Sequence, residues 1–313
     1  MEFLEVIQPG FYTTIQDQGR FGYLQFGIPP CGVVDSFAAK VSNLLVGNLM
    51  DEAVLEATVM GPTLRVLSEG VIAIAGAELS PQINDSSIPL WESIPVKPGD
   101  KIGFKGLKKG CRAYIAVGGG IAVPPVMGSR STYVAGKIGG IEGRLLVAGD
   151  KIPKGEKYGT PGKRLPSEFI PAYPAHPMIR VILGPQDDFF DEGIRTFLES
   201  EFKVSPKADR MGYRLDGPTI PHKAGVEKSI ISEPSVPGGI QVPPDGLPII
   251  LLVEQTVGGY TKIATVISTD LGAVGQTKPG DRIRFQAVKI KEAHQIYSEE
   301  AGKIEKIKNF LSN

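Results

Sequence analysis

The apolar residues of this chain fall mainly in short runs that end at glycine, proline or a polar turn. This pattern is typical of many short β-strands joined by tight turns. Glycine occurs 39 times and proline 26 times, and both are spread between the apolar runs rather than gathered in low-complexity tracts. The spacing predicts strands over residues 3–7, 71–75, 101–104, 113–117, 179–183, 249–253, 261–268 and 282–285.

Three segments have the helical spacing of apolar residues instead. The first predicted helix covers residues 35–45, with Asp35 as its N-cap. The second follows Asp187 or Asp188, and the third covers the tail from about residue 291 to 312. The apolar stripe of the tail is interrupted by charged residues, which favours a helix packed on its own barrel over a helix that binds a partner.

The length of the chain predicts two domains, because 313 residues exceed what one hydrophobic core usually supports. Residues 151–175 are rich in lysine, glycine and proline and lack periodicity, which indicates a linker. We therefore predict a first domain over residues 1–150, a second over 176–290 and a C-terminal helix over 291–313.

The two halves also share short motifs. Gly-Pro-Thr-Leu at residues 61–64 matches Gly-Pro-Thr-Ile at 217–220, and a Pro-Gly-Asp turn precedes both the strand at 101–104 and the strand at 282–285. The matches indicate a duplication, although Pro-Gly-Asp turns also recur by chance. The predicted fold class is mostly β, with two barrel-like halves, a few short helices and a C-terminal helix.

Charge and cysteine content exclude several classes of function. Lys plus Arg and Asp plus Glu both count 34, so the chain lacks the basic excess expected of a nucleic-acid-binding protein. Cys31 and Cys111 fit no disulfide framework or zinc motif, and the three histidines are far apart in sequence, so no metal site is expected. The acidic start of the chain and the lack of an apolar run of ~18 residues predict a cytoplasmic protein without a membrane span.

Four segments combine charged residues with glycine. An arginine guanidinium binds the oxygens of a carboxylate or phosphate, and glycine lets main-chain N–H groups approach an anion. Neighbours such as Asp209 and Arg210 fit a structural ion pair equally well. Together the segments predict a shared polar cleft, and they cover residues 16–23, 128–144, 209–215 and 255–262.

Several motifs are absent from the sequence. It contains no Gly-x-x-x-x-Gly-Lys-Ser/Thr phosphate loop, no Gly-x-Ser-x-Gly nucleophile elbow and no set of kinase motifs. It also lacks the Met-Lys-Met sequence of biotin attachment sites. A self-contained ATPase, esterase or biotin carrier is therefore not expected.

An ordered set of motifs between about residues 3 and 286 resembles one protein family, called KipA, allophanate hydrolase subunit 2 or PxpC, a component of 5-oxoprolinase. This family is related to the biotin-dependent carboxyltransferase domain of urea carboxylase. The first matching motif is Gln-Asp-x-Gly-Arg-x-Gly-Tyr at residues 16–23. The others lie at residues 27–35, 55–56, 61–62, 128–132, 209–215, 229–234, 239–243 and 258–260.

The resemblance implies two cyclophilin-like β-barrel domains. It also implies a partner subunit of the KipI or PxpB type, and possibly a third, PxpA-like subunit. Such a complex opens the small lactam 5-oxoproline to glutamate at the expense of ATP, with a divalent cation expected beside the ATP. Two alternatives remain: a carboxyltransferase acting with a biotinyl partner, and a KipA-type regulatory protein that antagonises a kinase inhibitor.

The resemblance and the chemistry of the lactam together suggest site residues. ATP can activate the unreactive amide by phosphorylating its oxygen, so cations and N–H donors are needed around the phosphoryl group. The predicted catalytic residues are Asp209, Arg210, Arg130 and Gln255. The predicted substrate- and phosphate-binding residues are Ser131, Thr256, Gly258, Gly259, Tyr260 and Lys262.

We expect Arg130, Asp209, Arg210, Gln255 and Tyr260 to converge on one polar cleft, with Asp209 paired to one of the two arginines.

The fourth segment departs from the family pattern Asp-x-Gln-Thr-Thr-Gly-Gly-Tyr. Val253 occupies the acidic position of this pattern, and Val257 occupies the position of the second threonine. In the third segment, Ala208 precedes Asp209 where the family often has serine. If the acid is needed, Glu254 must replace it from a position shifted by one residue.

Overall fold

Strands make up most of the regular structure, which confirms the predicted mostly β class. The computed structural model describes residues 1–312, and two compact units divide the chain. Unit 1 contains residues 1–20, 31–173 and the tail from Gly302, and unit 2 contains residues 21–30 and 174–301.

Unit 1 holds eleven strands of the described chain in two sheets. They are β1 (Glu2–Gln8), β2 (Tyr12–Gln16), β3 (Val54–Thr58), β4 (Thr63–Val66), β5 (Gly70–Glu78), β6 (Pro81–Ile83), β7 (Ser86–Ser87), β8 (Ser93–Val96), β9 (Lys101–Phe104), β10 (Lys109–Val117) and β11 (Lys151–Pro153). One sheet has the order β2-β3-β10-β5-β8 and the other β11-β1-β4-β9-β6-β7.

The two sheets of unit 1 enclose one core. Apolar residues from both sheets, among them Leu4, Ile15, Leu64, Ile72 and Ile115, form a single buried cluster. The described strands of unit 1 therefore hydrogen-bond as two sheets that face one core, rather than as one continuous ring.

Helix α1 (Ser36–Leu45) begins and ends where its sequence predicts. The Asp35 carboxylate accepts a hydrogen bond from Ala38 N at 3.1 Å, as an N-cap does. Gly47 follows with a φ of 78°, a conformation that glycine adopts without strain. The helix buries Ala38, Val41 and Leu45 against strands β5 and β10.

Unit 2 contains a closed barrel of seven strands. They are β12 (Met178–Leu183), β13 (Phe202–Val204), β14 (Gly212–Asp216), β16 (Gly239–Val242), β17 (Ile249–Leu251), β18 (Val257–Val266) and β19 (Arg282–Ala287). The order is β12-β19-β13-β14-β17-β16-β18, and the pairing of β18 with β12 closes the ring. Strand β15 (Ser229–Pro234) lies outside this ring and pairs only with β18 among the described strands.

The helices of unit 2 agree with the sequence in part. After Asp187 and Asp188 the chain forms one 3-10 turn, and α2 (Glu192–Glu199) starts later than expected because Asp191 has a φ of 26°. Helix α3 (Leu271–Gly275) has no apolar period long enough to reveal it. Helix α4 (Ile290–Ser312) covers the predicted tail.

The tail helix packs on its own chain. In unit 1, Ile307 is fully buried and Leu311 is 5% exposed, and both join the cluster that contains the apolar face of α1. In unit 2, Ala293 packs against Ile267 and Val288. The contacts of Ala293 fit the expected helix packed on its own barrel, whereas the part of the helix from Gly302 onward packs in unit 1 instead.

Most of the segment predicted as a linker is packed in unit 1. Lys151–Pro153 is strand β11 and pairs with β1, and the Lys163 carbonyl accepts a hydrogen bond from Ser93 N at 2.8 Å. Leu165 is 1% exposed. Residues 151–175 are therefore held by one short strand, isolated β-bridges and single hydrogen bonds. Such contacts leave no periodic pattern in the sequence, which is why the segment looked like a linker.

The repeated Pro-Gly-Asp turns have the same hydrogen bonds in both units. Gly99 N donates to the Val66 carbonyl and Gly280 N donates to the Val204 carbonyl, each at 2.9 Å. The carboxylate that follows accepts from the backbone N–H three residues earlier, at 2.9 Å for Asp100 and 3.1 Å for Asp281. This equivalence supports the duplication inferred from the sequence.

Among residues 1–312, no helix has both the length and the apolar character needed to cross a membrane.

Candidate functional site

A polar pocket lies on the outer face of four adjacent strands of the unit 2 barrel. Strands β14, β17, β16 and β18 are neighbours, and Arg214 alternates along β14 with the buried Tyr213 and Leu215. The cavity has a volume of about 220 Å³. Its polar lining residues are Lys207, Asp209, Arg214, Gln241, Gln255 and Tyr260.

Three of the predicted site residues therefore share this pocket, namely Asp209, Gln255 and Tyr260. Tyr260 is 41% exposed and Asp209 is exposed as well, so both reach solvent. Gln255 uses its side-chain N–H to donate to the Val257 carbonyl at 2.8 Å, which holds the start of β18. The catalytic and binding roles of these residues stay predictions.

Asp209 holds the loop at the edge of the pocket. Its Oδ1 accepts hydrogen bonds from Met211 N at 2.8 Å and from Gly212 N at 3.1 Å, the pattern of an Asx turn. Within the described chain Asp209 forms no ion pair with an arginine, so the expected Asp209–arginine pair is wrong. The reason is local, since the carboxylate folds back onto the backbone that follows it.

Arg210 instead pairs with Glu254 behind the pocket. Arg210 Nε lies 2.5 Å from Glu254 Oε1, and the two side chains are only 4% and 7% exposed. Glu254 N also donates to the Arg210 carbonyl at 3.1 Å, so backbone and side chain join the same two residues. Glu254 thus supplies a buried carboxylate one residue after the acidic position of the family pattern.

The glycines of the fourth segment allow close packing at the pocket wall. A Cβ atom on Gly258 would lie 2.2 Å from Gln241 Nε2, and one on Gly259 would lie 3.0 Å from Ser232 Oγ. Thr256 contributes its carbonyl, which accepts a hydrogen bond from Ser235 N at 2.9 Å. The backbone at 256–259 is therefore used mainly to hold β15 and β16 against β18.

Lys262 is buried and paired. It is 4% exposed, and its ammonium contacts the carboxylate of Glu233, which is half-exposed on β15. Lys262 is the β18 residue that pairs with Gln241 on β16, so it lies next to the pocket without lining it. The cations that do line the pocket, Lys207 and Arg214, were not predicted.

Gln241 is the other pocket residue that sequence reasoning missed. It is 3% exposed, and its Nε2 has no hydrogen-bond partner among residues 1–312. The signal was present in the motif at 239–243, but nothing in the sequence distinguishes this glutamine from a surface residue. Its burial depends on β17 and β18, the two strands that lie beside β16.

Arg130 and Ser131 belong to unit 1, where both contribute to a cluster around Asp17. Asp17 Oδ1 accepts from Ser129 Oγ and Ser131 Oγ at 2.6 Å each and from Gly19 N at 2.9 Å. Its Oδ2 accepts from Arg130 N at 2.6 Å. One carboxylate therefore fixes the conformation of the loop that carries Arg130.

The guanidinium of Arg130 is about one-third exposed. Arg130 Nε donates to the Val123 carbonyl at 3.0 Å, and Nη1 lies 3.9 Å from Glu52 Oε2. Arg130 is therefore partly available to an anion. A cleft that it shares with Asp209 and Gln255 stays a prediction.

Arg20 supports the same loop from inside. It is 1% exposed and donates to the carbonyls of Val126 at 3.0 Å and Ser131 at 2.9 Å. Its Nη1 has no partner among the described residues. A buried guanidinium held mainly by carbonyls is costly, which indicates that the shape of this loop matters.

A second buried cluster in unit 1 contains Glu56, Asp35 and two tyrosines. Tyr114 OH donates to Glu56 Oε2 at 2.9 Å and accepts from Asp35 N at 2.8 Å. Burial, followed by the nearby Glu56 and Asp35 carboxylates, raises the pKa of Tyr114 well above its usual value. Burial and Asp35 raise the pKa of Tyr173 in the same way. Both phenols stay protonated and serve as hydrogen-bond donors.

No group of three or more His, Cys, Asp or Glu side chains within residues 1–312 is arranged to hold a metal ion. The unit 2 pocket is smaller than the ~300–1,000 Å³ of pockets that enclose drug-sized ligands.

Comparison with known proteins gives consistent results. A family model described as the carboxyltransferase domain, subdomain A and B, matches residues 26–287. The 5-oxoprolinase subunit designated C in Escherichia coli is 36% identical over 95% of this chain and 97% of its own length. The subunit of the same designation in Haemophilus influenzae is 34% identical over 98% of this chain and 100% of its own length.

A solved structure is also similar. The urea amidolyase of Kluyveromyces lactis superposes with a TM-score of 0.91 at 32% identity, over 98% of this chain and 20% of that longer protein. The matched residues include both units and the pocket described above. This chain therefore belongs to the carboxyltransferase domain family that contains the C-type subunits of 5-oxoprolinases and the corresponding region of urea amidolyases.

Proposed function

We propose that this chain is the PxpC-type subunit of an ATP-dependent 5-oxoprolinase, which opens 5-oxoproline to glutamate. The observation that carries the proposal is the unit 2 pocket, whose volume of about 220 Å³ suits a small molecule. 5-Oxoproline is a five-membered lactam with one carboxylate, so it offers two groups of acceptor oxygens and one N–H donor. The pocket has complementary groups.

The charges of the pocket are arranged for such a ligand. Lys207 and Arg214 can bind the carboxylate, and Arg214 can do so with two parallel N–H bonds. The Asp209 carboxylate and the Gln255 amide oxygen are acceptors for the lactam N–H. These residues bind and orient the ligand, and the buried pair Arg210–Glu254 keeps the loop in place.

The activity is proposed for a complex rather than for the chain alone. The similar bacterial proteins are named as a subunit, which supports the presence of other subunits. We propose a KipI/PxpB-like partner and a PxpA-like third subunit, with ATP and its divalent cation bound at the level of the complex in the cytoplasm. The terminal phosphoryl group would activate the lactam oxygen, and this chain carries no biotin.

The second candidate is a carboxyltransferase that acts with a biotinyl partner. Its support is the similarity to urea amidolyase over nearly the whole chain. Urea also has an amide carbonyl and would fit the same pocket. A KipA-type regulatory role that antagonises a kinase inhibitor has no observation of its own in its favour.

The test uses the chain co-expressed and purified with its KipI-like and PxpA-like neighbours. We expect glutamate to form from 5-oxoproline only when ATP is present, with one ADP released for each ring opened. Omission of any one subunit should abolish the reaction. Carboxylation of urea or another amide by carboxybiotin, without glutamate formation, would replace this proposal with the carboxyltransferase.

Replacement of Arg130 by lysine is expected to reduce the activity of the complex at least about tenfold while the chain still folds. Lysine keeps the charge but loses the planar, bidentate guanidinium. The backbone N–H that binds Asp17 is unchanged, so the loop should keep its shape. Thermal unfolding of the chain measures folding, and an unchanged rate of glutamate formation would remove Arg130 from the predicted catalytic residues.

A further inference from the structure

Arg214 differs from the other arginines of unit 2 because it has no acidic partner. Unit 2 contains six arginines, and the other five each form an ion pair with a glutamate or an aspartate. Among residues 1–312, the Arg214 guanidinium forms neither an ion pair nor a hydrogen bond. The residue is exposed and lines the unit 2 pocket, so a ligand in that pocket can reach it. An unpaired guanidinium in this position is well placed to bind an anion.

The strand pairing shows that the Arg214 side chain is on the pocket side of the sheet. Arg214 on β14 pairs directly with Ile249 on β17, and Ile249 pairs with Gln241 on β16. Directly paired residues of neighbouring strands point to the same face of a sheet. Ile249 and Gln241 both line the pocket. Tyr213 and Leu215, which flank Arg214 along β14, are buried on the opposite face.

Two further charged residues line the same pocket from the loop before β14. Lys207 and Asp209 are both exposed, and neither has an ion-pair partner within the described part of the chain. Asp209 Oδ1 accepts hydrogen bonds from the backbone of the loop, which leaves Oδ2 for a ligand. With Arg214, the charged lining of the pocket therefore consists of two cations and one anion.

The lactam of the proposed function matches only part of this set of charges. 5-Oxoproline has a single carboxylate and a neutral N–H, so one cation of the pocket has no counterpart in it. When water opens the ring, the amide C–N bond breaks, the carbonyl carbon becomes a second carboxylate and the nitrogen becomes an ammonium. The product thus has two anionic groups and one cationic group, and each has a counterpart in the pocket. The net charge is the same before and after opening, so the arrangement of the charges distinguishes the two molecules.

We propose that the unit 2 pocket binds an open-chain α-amino dicarboxylate, of which glutamate is the one that the proposed reaction forms. Arg214 holds the distal carboxylate with two parallel N–H bonds. Lys207 holds the α-carboxylate and Asp209 holds the α-ammonium. These two residues lie on one loop with a single residue between them, which suits two charged groups carried by one carbon atom. The class of ligand follows from the charges of the pocket, and only its identity as a reaction product rests on the proposed function.

This assignment has a regulatory consequence. A site that is more complementary to the product than to the substrate retains the product, so turnover slows as glutamate accumulates. Glutamate and 5-oxoproline compete for the same cations, so the inhibition is competitive. Asp209 favours the product, because only an ammonium forms an ion pair with its carboxylate.

The experiment measures equilibrium binding of glutamate, glutarate and 5-oxoproline to the full chain by calorimetry. Glutarate has both carboxylates of glutamate and lacks the ammonium. The first variant is Arg214→Met, which removes the guanidinium. The second is Asp209→Asn, which removes the charge and keeps a side-chain oxygen for the hydrogen bonds of the loop. The matched control is Arg284→Met, because Arg284 is exposed on β19 of the same barrel, lies outside the pocket and has Glu201 as its partner.

We expect the wild-type chain and Arg284→Met to bind glutamate at least about tenfold more tightly than 5-oxoproline or glutarate, because hydrogen bonds between charged groups are the stronger ones. Arg214→Met should lose at least about tenfold in affinity for glutamate. Asp209→Asn should bind glutamate no more tightly than glutarate, with an affinity for glutarate that is unchanged or higher. Thermal unfolding of each variant checks that the losses occur in folded chains.

Three binding results would overturn the assignment: no binding of glutamate to the wild-type chain, equal binding of glutamate and glutarate, or full affinity for glutamate in Arg214→Met. Glutamate formation from 5-oxoproline by the complex is measured separately and tests the proposed function. A chain that binds glutamate through Arg214, in a complex that forms no glutamate, removes the proposed reaction and keeps the site. An active complex whose rate is unchanged by added glutamate overturns the site and keeps the proposed function.

Discussion

Replacement of Asp17 by alanine is expected to lower the free energy of unfolding by about 3 kcal/mol or more. The Asp17 carboxylate accepts hydrogen bonds from Gly19 N, Ser129 Oγ, Arg130 N and Ser131 Oγ, and the residue is only 8% exposed. Hydrogen bonds to a charged group contribute ~1.5–3 kcal/mol each, and the variant leaves several buried donors without an acceptor.

Chemical denaturation of the variant and the wild type measures this loss. The control is Asp51→Ala, an exposed aspartate of the same unit, for which we expect a change within ~0.5 kcal/mol. Asp17→Asn should lie between the two, because its amide keeps one acceptor oxygen. A loss below ~1 kcal/mol for Asp17→Ala would contradict the view that one carboxylate holds the 129–131 loop.

The Asp17 cluster also bears on the predicted catalytic role of Arg130. Because Asp17 fixes the backbone at Arg130, a loosened loop displaces that guanidinium even though no atom of Arg130 is altered. Arg20 acts on the same loop through the carbonyls of Val126 and Ser131. The conformation of Arg130 is thus set by residues 16–20, which explains physically why the segments at 16–23 and 128–132 occur together in one motif set.

Local elements of the fold could be predicted because neighbouring residues determine them. The N-cap Asp35, the apolar spacing of α1 and the glycine at position 47 are all readable in sequence. The Pro-Gly-Asp turns are similar, since Asp100 and Asp281 each bind a backbone N–H three residues away. Closure of the seven-stranded ring depends on the pairing of β12 with β18, about eighty residues apart, and no local pattern specifies it.

The candidate site was also only partly predictable from local sequence patterns. Charged residues near glycine pointed to the loops at 209–215 and 255–262, and Asp209, Gln255 and Tyr260 do share a pocket. Adjacency in sequence gave the wrong partner for Asp209, because its carboxylate turns toward the backbone of residues 211 and 212. Gln241 could not be recognised at all, since an unpaired buried amide is a property of packing.

The buried pair Arg210–Glu254 should show a large coupling energy in a double-mutant cycle. We expect Glu254→Leu to lower the free energy of unfolding by about 3 kcal/mol, because it removes a carboxylate 2.5 Å from a guanidinium that is 4% exposed. Arg210→Met should cost a similar amount. The double variant should be more stable than the sum of the two single losses predicts, by about 2 kcal/mol.

The matched control is the ion pair of Lys108 with Glu78 in unit 1. Its side chains are 67% and 44% exposed at a distance of 3.2 Å, so solvent screens the attraction. Glu78→Leu and Lys108→Met should each change stability by less than ~1 kcal/mol and show almost no coupling. The comparison separates burial from charge, because both cycles remove one acid and one base.

The outcome also tests whether Glu254 replaces the acid that the family pattern has at position 253. If Glu254 and Arg210 are strongly coupled, the acid shifted by one residue stabilises the loop that borders the pocket, and Val253 is tolerated for that reason. Additive losses in the double variant would mean that Glu254 does not compensate for the missing acid at position 253. Restoring it with Val253→Asp should then increase ligand binding, whereas with strong coupling the same substitution should add a second, unpaired acid next to Glu254 and destabilise the chain.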